Sequence, residues 1–360
     1  MRKVLLLIDS LGSGGAQRQI VGLAKLLKER DYDVRLIYYH PIVFYKSYLD
    51  EHGIENECVA GAANKWKRIK IIYHTVKQYN PGVLISYLDG PNMIACVLKA
   101  VGLKFKLIAS ERNTTQKMNC REMFKFFLMR WADAIVANSY SQEAFIDKHY
   151  PVLSGRTSTI TNFVDTESFS PRTVSNNNNI KKPLNILCVG RIAAQKNVLL
   201  FLEALFRLKV KGYQFHVDWY GDKDDLAYYT QCAERVKTLE LEDVFSFRRP
   251  SKDIVKVYQE ADVFCLPSVY EGLPNVLCEA MCCGLPILCS NVCDNPMLVK
   301  EGTNGFLFDP NAIDDIADKI SKMLRLSVKE LCDMGIKNRE FAEQRFASSS
   351  FAEKYIELIR

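Results

Sequence analysis

No apolar run in this 360-residue chain approaches the ~20 residues that a membrane-crossing helix needs, so no transmembrane helix is expected. The opening, Met1-Arg-Lys-Val-Leu-Leu-Leu-Ile-Asp9, has the basic start and apolar stretch of a secretory leader. Asp9 and the glycines after it cut that stretch short and no cleavage pattern follows, so it reads as a first strand. The 12 cysteines, with Cys278, Cys282, Cys283, Cys289 and Cys293 bunched together, follow no common zinc spacing. Most lie in apolar strand or helix contexts, the pattern of buried reduced thiols in a cytosolic protein rather than of a disulfide framework. Also missing are the regular glycine spacing of a dinucleotide fingerprint and any recognised nucleic-acid motif, so nucleic acid is not an expected partner. An apolar content of 48% with 25% charged residues is that of a soluble globular protein, and the length suits two α/β domains.

What the chain does have is concentrated in residues 268–289. Gly272, Leu273 and Pro274 predict a tight turn, Asn275 an N-cap, and Val276 to Cys283 a short helix that Gly284 ends before Pro286. Turn amides and a helix N-terminus together make an anion site. Glu279 is expected in the first turn of this helix and Glu271 across the turn. A carboxylate beside an anion is repelled unless it accepts hydrogen bonds from hydroxyls, so the pattern fits a ligand carrying both phosphate and sugar. The alternative is an ordinary amphipathic helix with two solvated glutamates.

Two further segments have the same character. Asn185-Ile-Leu-Cys-Val-Gly-Arg-Ile-Ala-Ala-Gln-Lys-Asn197 reads as a strand running into Gly190 and Arg191, then a loop with Lys196, then Asn197 capping a helix over 198–209. Lys3 to Gln19 reads as a strand, a glycine-rich loop with Gly14 and Gly15, and an amphipathic helix from about Ala16 to Arg30.

Together these segments resemble the retaining GT-B glycosyltransferases with two glutamates separated by seven residues, here Glu271 and Glu279. This is the large family that includes bacterial lipopolysaccharide, capsule and N-glycan assembly enzymes, and the resemblance spans nearly the whole chain. It implies an α/β fold of two Rossmann-like, doubly wound parallel-sheet domains facing across a cleft. It further implies that Glu271 contacts the donor sugar and Glu279 the nucleotide ribose. The amides of Leu273, Asn275 and Val276, in the turn with Gly272, would hold sugar and diphosphate, and Gly14 and Gly15 would approach the donor phosphate from the N-terminal domain. Arg191 and Lys196, beside Gly190, would neutralise charge on the leaving nucleotide, an electrostatic role. Many relatives have Glu where this chain has Gln17, which keeps the hydrogen bonding and loses the charge. The implied reaction is transfer with retention, the leaving phosphate accepting the acceptor's proton. No protein nucleophile is identifiable, and no metal or cofactor is expected. Asp222-Lys-Asp224 imitates the Asp-x-Asp of the other glycosyltransferase fold but follows a strand of the C-terminal half, where it reads as a loop carboxylate pair.

Strands expected at 4–8, 34–38, 83–87, 107–110 and 134–138 alternate with helical stretches, and the pattern restarts at 184–189, 215–220, 244–247, 263–267 and 287–290. The polar run 175–183 reads as a linker between an N-terminal acceptor domain, 1–174, and a nucleotide-sugar domain, 184–345. Residues 346–360 are expected to cross back to the first domain. Asp89 and the run Ser110-Glu-Arg-Asn113 follow apolar strands and so belong at strand ends, where open α/β sheets bind ligands. Asp89, Glu111 and Arg112 are the acceptor-side or sugar-side candidates. The run resembles one in enzymes acting on polyprenyl-diphosphate-linked sugars, some of which have His in place of Arg112. Alternatively Glu111 and Arg112 pair with each other.

Residues 1–165 hold 23 Lys and Arg against 15 Asp and Glu, while the rest of the chain is slightly acidic. Basic and aromatic residues mix in Lys65-Trp-Lys-Arg-Ile-Lys70 and in 117–131, so the N-terminal domain could rest on an anionic bilayer, or these could be solvated helix faces. The expected partners are a nucleotide-sugar donor, commonly UDP-linked, a polyprenyl-diphosphate-linked glycan acceptor and an anionic membrane surface. The expected location is peripheral at the inner face of the cell membrane. A nucleotide-sugar epimerase of the same fold and a non-catalytic nucleotide-sugar-binding subunit are the alternatives.

Overall fold

A computed structural model describes residues 2–59, 64–115, 118–172, 183–223 and 225–360. The chain forms two compact units: Met1–Phe163 with Ser348–Arg360, and Val164–Ala347.

The first unit is built on strands β1 (Lys3–Leu7), β2 (Asp33–Tyr38), β3 (Glu55–Cys58), β4 (Val83–Tyr87), β5 (Lys106–Glu111), β6 (Ala134–Ala137) and β7 (Thr157–Thr159). They pair in the order β3-β2-β1-β4-β5-β6-β7, every pair parallel. Central strands such as Leu5-Leu-Leu7 and Val83-Leu-Ile85 are apolar at consecutive positions because helices cover both sheet faces. On one face Val4, Leu6 and Ile8 meet Ile20, Leu23 and Leu27 of the helix Gly15–Lys28. On the other, Leu5, Leu7 and Leu84 meet Ile72, Ala95 and Phe126. Strands β3 and β7 escape the alternation rule because they are edge strands with little to bury. The acidic side chains of β3 instead pair with Arg35 of β2, Glu57 at 2.5 Å and Glu55 at 3.4 Å.

The second unit contains β8 (Leu184–Val189), β9 (Phe215–Tyr220), β10 (Phe245–Arg248), β11 (Val263–Leu266), β12 (Ile287–Ser290) and β13 (Gly305–Phe308). Their order is β10-β9-β8-β11-β12-β13, again all parallel. Strand β13 also lay outside the expected set. It opens on a glycine whose Cβ would fall 2.2 Å from the Ile287 carbonyl oxygen.

The boundary expected at residue 174 falls instead between 163 and 164. The Arg339 guanidinium explains this, donating to the carbonyls of Phe169 at 2.7 Å and Thr166 at 2.9 Å, so the segment after Phe163 is fastened to the second unit. Of the expected linker, 175–182 lie outside the described residues. The last helix, Ser348–Ile359, inserts Phe351, Tyr355 and Ile359 into the core of the first unit. There the hydroxyls of Tyr355 and Tyr87 meet at 2.7 Å.

In each sheet the winding reverses between two neighbours, β1 and β4 in the first, β8 and β11 in the second. At such a point the loops at the carboxyl ends part and leave a crevice for a ligand. Gly14, Gly15 and Asp89 follow β1 and β4, whereas Gly190 to Lys196 and Glu271 follow β8 and β11.

Removing one member of the buried tyrosine pair leaves the other without its partner. Tyr355→Phe is expected to cost about 1–3 kcal/mol, measured as an earlier unfolding transition of the first unit in urea, with the second unit's transition unmoved.

Candidate active site

At the carboxyl end of β8, Gly190 is held from two sides. Its amide donates to the Tyr220 carbonyl at 2.9 Å, and its own carbonyl accepts from the Trp219 indole at 2.8 Å. Gly221 lies so close that a Cβ there would fall 1.9 Å from the Gly190 oxygen. A Cβ on Gly190 itself would stand 3.1 Å from Lys196 Cε, so the bare backbone is what lets the lysine run back along the strand end. The short 3-10 turn Ala194–Lys196 brings it round, ending at Asn197 in the left-handed conformation with φ 59°. Asn197 stands at the N-cap position of the helix Val198–Val210, but its side chain does not cap it. The amide donates to the Pro310 carbonyl at 2.7 Å, because the left-handed backbone turns it away from the helix start.

Lys196 Nζ meets Glu271 Oε1 at 2.5 Å, with the two side chains only 12% and 9% exposed. The neighbouring residues lock the loops that carry them. The Val269 amide donates to the Gln195 carbonyl and the Gln195 side chain to the Tyr270 carbonyl, both at 2.9 Å. Arg191 is exposed and makes no hydrogen bond or ion pair among the described residues.

The helix that follows is Asn275–Cys282, with Pro274 at the N-cap in an extended conformation. Asn275 is therefore the first helical residue and not the cap, since proline's fixed φ already sets the entry angle. Gly284 ends the helix with φ 71°. Starting at 275 also puts Glu279 in the second turn rather than the first. There it is buried and accepts a hydrogen bond from the Tyr258 hydroxyl at 2.9 Å. Neither glutamate is the solvated residue of an ordinary surface helix. Gly272 and the buried Leu273 lie in the turn between Glu271 and the helix, and Asn275 and Val276 carry its first amides.

In the first unit, Gly14 is the N-cap of the helix Gly15–Lys28. Gln17 folds back over it, so that a Cβ on Gly14 would lie 2.4 Å from Gln17 Oε1, and Gln17 donates to Asp9 at 3.1 Å. The helix ends at Lys28, two residues before the expected Arg30.

Glu111 and Arg112 do not pair with each other. Glu111, fully buried, takes Lys125 Nζ at 2.8 Å and the Asn92 amide at 3.0 Å. Lys125 also reaches Glu122 at 2.7 Å and Asp89 at 3.4 Å. Burial pushes the Glu111 carboxyl up, with Lys125 opposing it. Burial alone would lower Lys125, but the Glu111 and Asp89 carboxylates raise it on balance. Arg112 turns to Asn162 and stacks 4.9 Å from the centre of the Tyr87 ring. Just before Asp89, Leu88 has φ 77° and ψ 160°, a conformation that costs a leucine energy and is held by the surrounding packing.

Lys125 lies in the stretch 117–131 whose mix of basic and aromatic residues suggests a membrane face, yet its side chain is 2% exposed. The signal available was a lone cation inside Met123-Phe-Lys-Phe-Phe-Leu-Met129, where apolar neighbours predict burial and hence a partner. Lys117 and Asp224 lie outside the described residues. The described cysteines are all free thiols, eight of them buried, and burial holds those of Cys278 and Cys289 well above the usual thiol range. Among the described residues no cluster of three or more His, Cys, Asp and Glu is arranged for a metal ion.

Two family patterns match the chain in series: Glycosyltransferase Family 4 over residues 13–168 and Glycosyl transferases group 1 over residues 171–341. A Haemophilus influenzae uncharacterized glycosyltransferase is 25% identical, over 90% of this chain and 91% of its own. The Campylobacter jejuni "GalNAc-alpha-(1->4)-GalNAc-alpha-(1->3)-diNAcBac-PP-undecaprenol alpha-1,4-N-acetyl-D-galactosaminyltransferase" is 27% identical, over 100% of this chain and 98% of its own. Among solved structures, Anabaena HepE in complex with UDP-glucose superposes with a TM-score of 0.86 over 99% of both chains at 19% identity. The chain belongs to the glycosyltransferases that these two patterns describe, and its paired Rossmann-like units are those of the GT-B fold.

The buried charges of the first unit generate a stability prediction. Lys125→Met strands Glu111 without its counter-ion and is expected to cost about 3–5 kcal/mol in urea unfolding. Adding Glu111→Gln should recover much of that loss, and a double variant no more stable than the single one would show that the pair is not what holds this region.

Proposed function

We propose that this protein moves a hexose or N-acetylhexosamine from a UDP-sugar to a hydroxyl of a polyprenyl-diphosphate-linked glycan, with retention of configuration and without a metal. The observation that carries the reading is the Lys196–Glu271 pair, 2.5 Å long and set at the carboxyl ends of β8 and β11. A cation fixed on a carboxylate beside the first amides of a helix is placed to meet a diphosphate while the carboxylate receives sugar hydroxyls. Arg191 adds an exposed positive charge on the same loop. In the reaction the acceptor oxygen bonds to the anomeric carbon as the bond from that carbon to the phosphate oxygen breaks. The electron pair goes to the phosphate, Lys196 and Arg191 stabilise the growing charge, and the phosphate oxygen takes the acceptor's proton. UDP is supported by the likeness to HepE, and the lipid-linked acceptor by the printed name of the Campylobacter relative.

The first unit supplies a face for the membrane that holds such an acceptor. On the helix Lys65–Tyr79, Trp66 is 79% exposed beside exposed Lys65, Lys67 and Lys70, and on the helix Cys120–Leu128, Phe124 is 58% exposed near exposed Met123, Phe127 and Arg121. No helix among the described residues is long and apolar enough to cross a membrane. In this reading the protein works as a peripheral enzyme on the bilayer's cytoplasmic side.

Incubation with UDP-hexoses and UDP-N-acetylhexosamines plus polyprenyl-diphosphate glycans is expected to give transfer, with the product's anomeric configuration read by NMR. Lys196→Ala and Arg191→Ala should each lower turnover at least about tenfold with the fold retained, and EDTA should leave the rate unchanged. Epimerised donor without transfer, or binding without chemistry, would select one of the alternative readings. Loss of activity in EDTA with recovery in manganese would overturn the metal-free assignment.

Vesicle binding should rise with anionic lipid and fall with salt, each basic group near the surface contributing ~1 kcal/mol. Replacing Lys65, Lys67 and Lys70 with Gln should weaken it while sparing UDP affinity. Equal activity on a soluble acceptor and indifference to anionic vesicles would remove the membrane face.

A further inference from the structure

We propose that Tyr258 is a positioning residue that sets Glu279 for the donor's ribose, an inference that rests on the donor reading of the second unit. Tyr258 belongs to no part of the glutamate motif, standing 21 residues before Glu279 in the chain. It lies on the helix Ile254–Glu260, which Asp253 opens by accepting the Lys256 amide. Its side chain is fully buried, the ring wedged between Phe169 and Phe264 with centroids 6.1 and 5.9 Å away. A phenol driven into an apolar wall must find an acceptor for its proton. The hydroxyl reaches Glu279 Oε2 at 2.9 Å and the Val276 carbonyl at 3.3 Å. With one proton to give, it donates to the carboxylate, the nearer and charged acceptor.

The consequence is geometric. The aromatic wall fixes the ring, the ring fixes the hydroxyl, and the hydroxyl fixes one oxygen of Glu279. A carboxylate offers about four lone-pair directions, and a bond to Tyr258 on one oxygen orients the whole group. The same hydroxyl lies against the carbonyl of Val276, in the first turn of the helix. Tyr258 thus ties the side chain assigned to ribose to the backbone assigned to diphosphate.

A purely structural tyrosine would satisfy a buried carboxylate and do nothing more, and the two roles separate by the ligand used. Titration calorimetry on the full chain would compare UDP with 2′,3′-dideoxyuridine diphosphate in the wild type, Tyr258→Phe, Glu279→Gln and the double variant. Tyr258→Phe is expected to weaken UDP about threefold to tenfold and the dideoxy nucleotide by less than about twofold, with no further loss when added to Glu279→Gln. Equal weakening of both nucleotides, or a lowered melting temperature with UDP affinity unchanged, would overturn the inference and leave Tyr258 a packing residue. A wild-type protein that ignores UDP would overturn the donor reading and this inference with it.

Discussion

Lys196 and Glu271 are 75 residues apart in the chain, and the second unit is arranged so that they touch. The contact requires β8 and β11 to be neighbours, which only the reversal of winding at the sheet's centre provides. It requires a glycine at 190, since any side chain there would press on the lysine stem, and a glycine at 221, since any side chain there would strike the 190 carbonyl. Two largely buried charges are tolerable at this spot because each is the other's counter-ion and the loops are already hydrogen-bonded together.

The first unit contains a buried lysine with the opposite meaning. Lys125 is surrounded by Asp89, Glu111 and Glu122, and it stabilises the strand ends after β4 and β5 rather than awaiting an anion. Acidic groups outnumber it, whereas among the described residues Lys196 has a single carboxylate partner, with Arg191 on its own loop. Charge balance, more than burial, separates the two lysines.

Much of this was readable from the chain because parallel sheets leave strong marks. Strands β1, β4 and β8 are consecutive apolar runs, and the turn through Gly272 to Pro274 stands out between β11 and its helix. The edge strands β3 and β7 have no fully buried residue and so leave little apolar signal, and β13, though mostly buried, is only four residues long. Helix starts were misjudged by a residue at Asn275, where proline sets the entry, and that single step carried Glu279 from the first turn into the second. The partners of Glu111, Arg112 and Glu279 were beyond reach altogether. Lys125, Asn162 and Tyr258 come from other elements, and no periodicity links residues that only folding brings together.

The last helix of the chain completes the first unit's core, which has a consequence for synthesis on the ribosome. The second unit is one continuous stretch, Val164–Ala347, and has all its residues once that stretch has emerged. The first unit, although most of it is translated earlier, waits for Phe351, Tyr355 and Ile359, which follow the second unit in the chain. Until they emerge, its sheet lacks part of its apolar cover and Tyr87 lacks the Tyr355 hydroxyl. Of the two units, the one begun first is thus finished second, and its nascent form is the one that more needs shielding by chaperones.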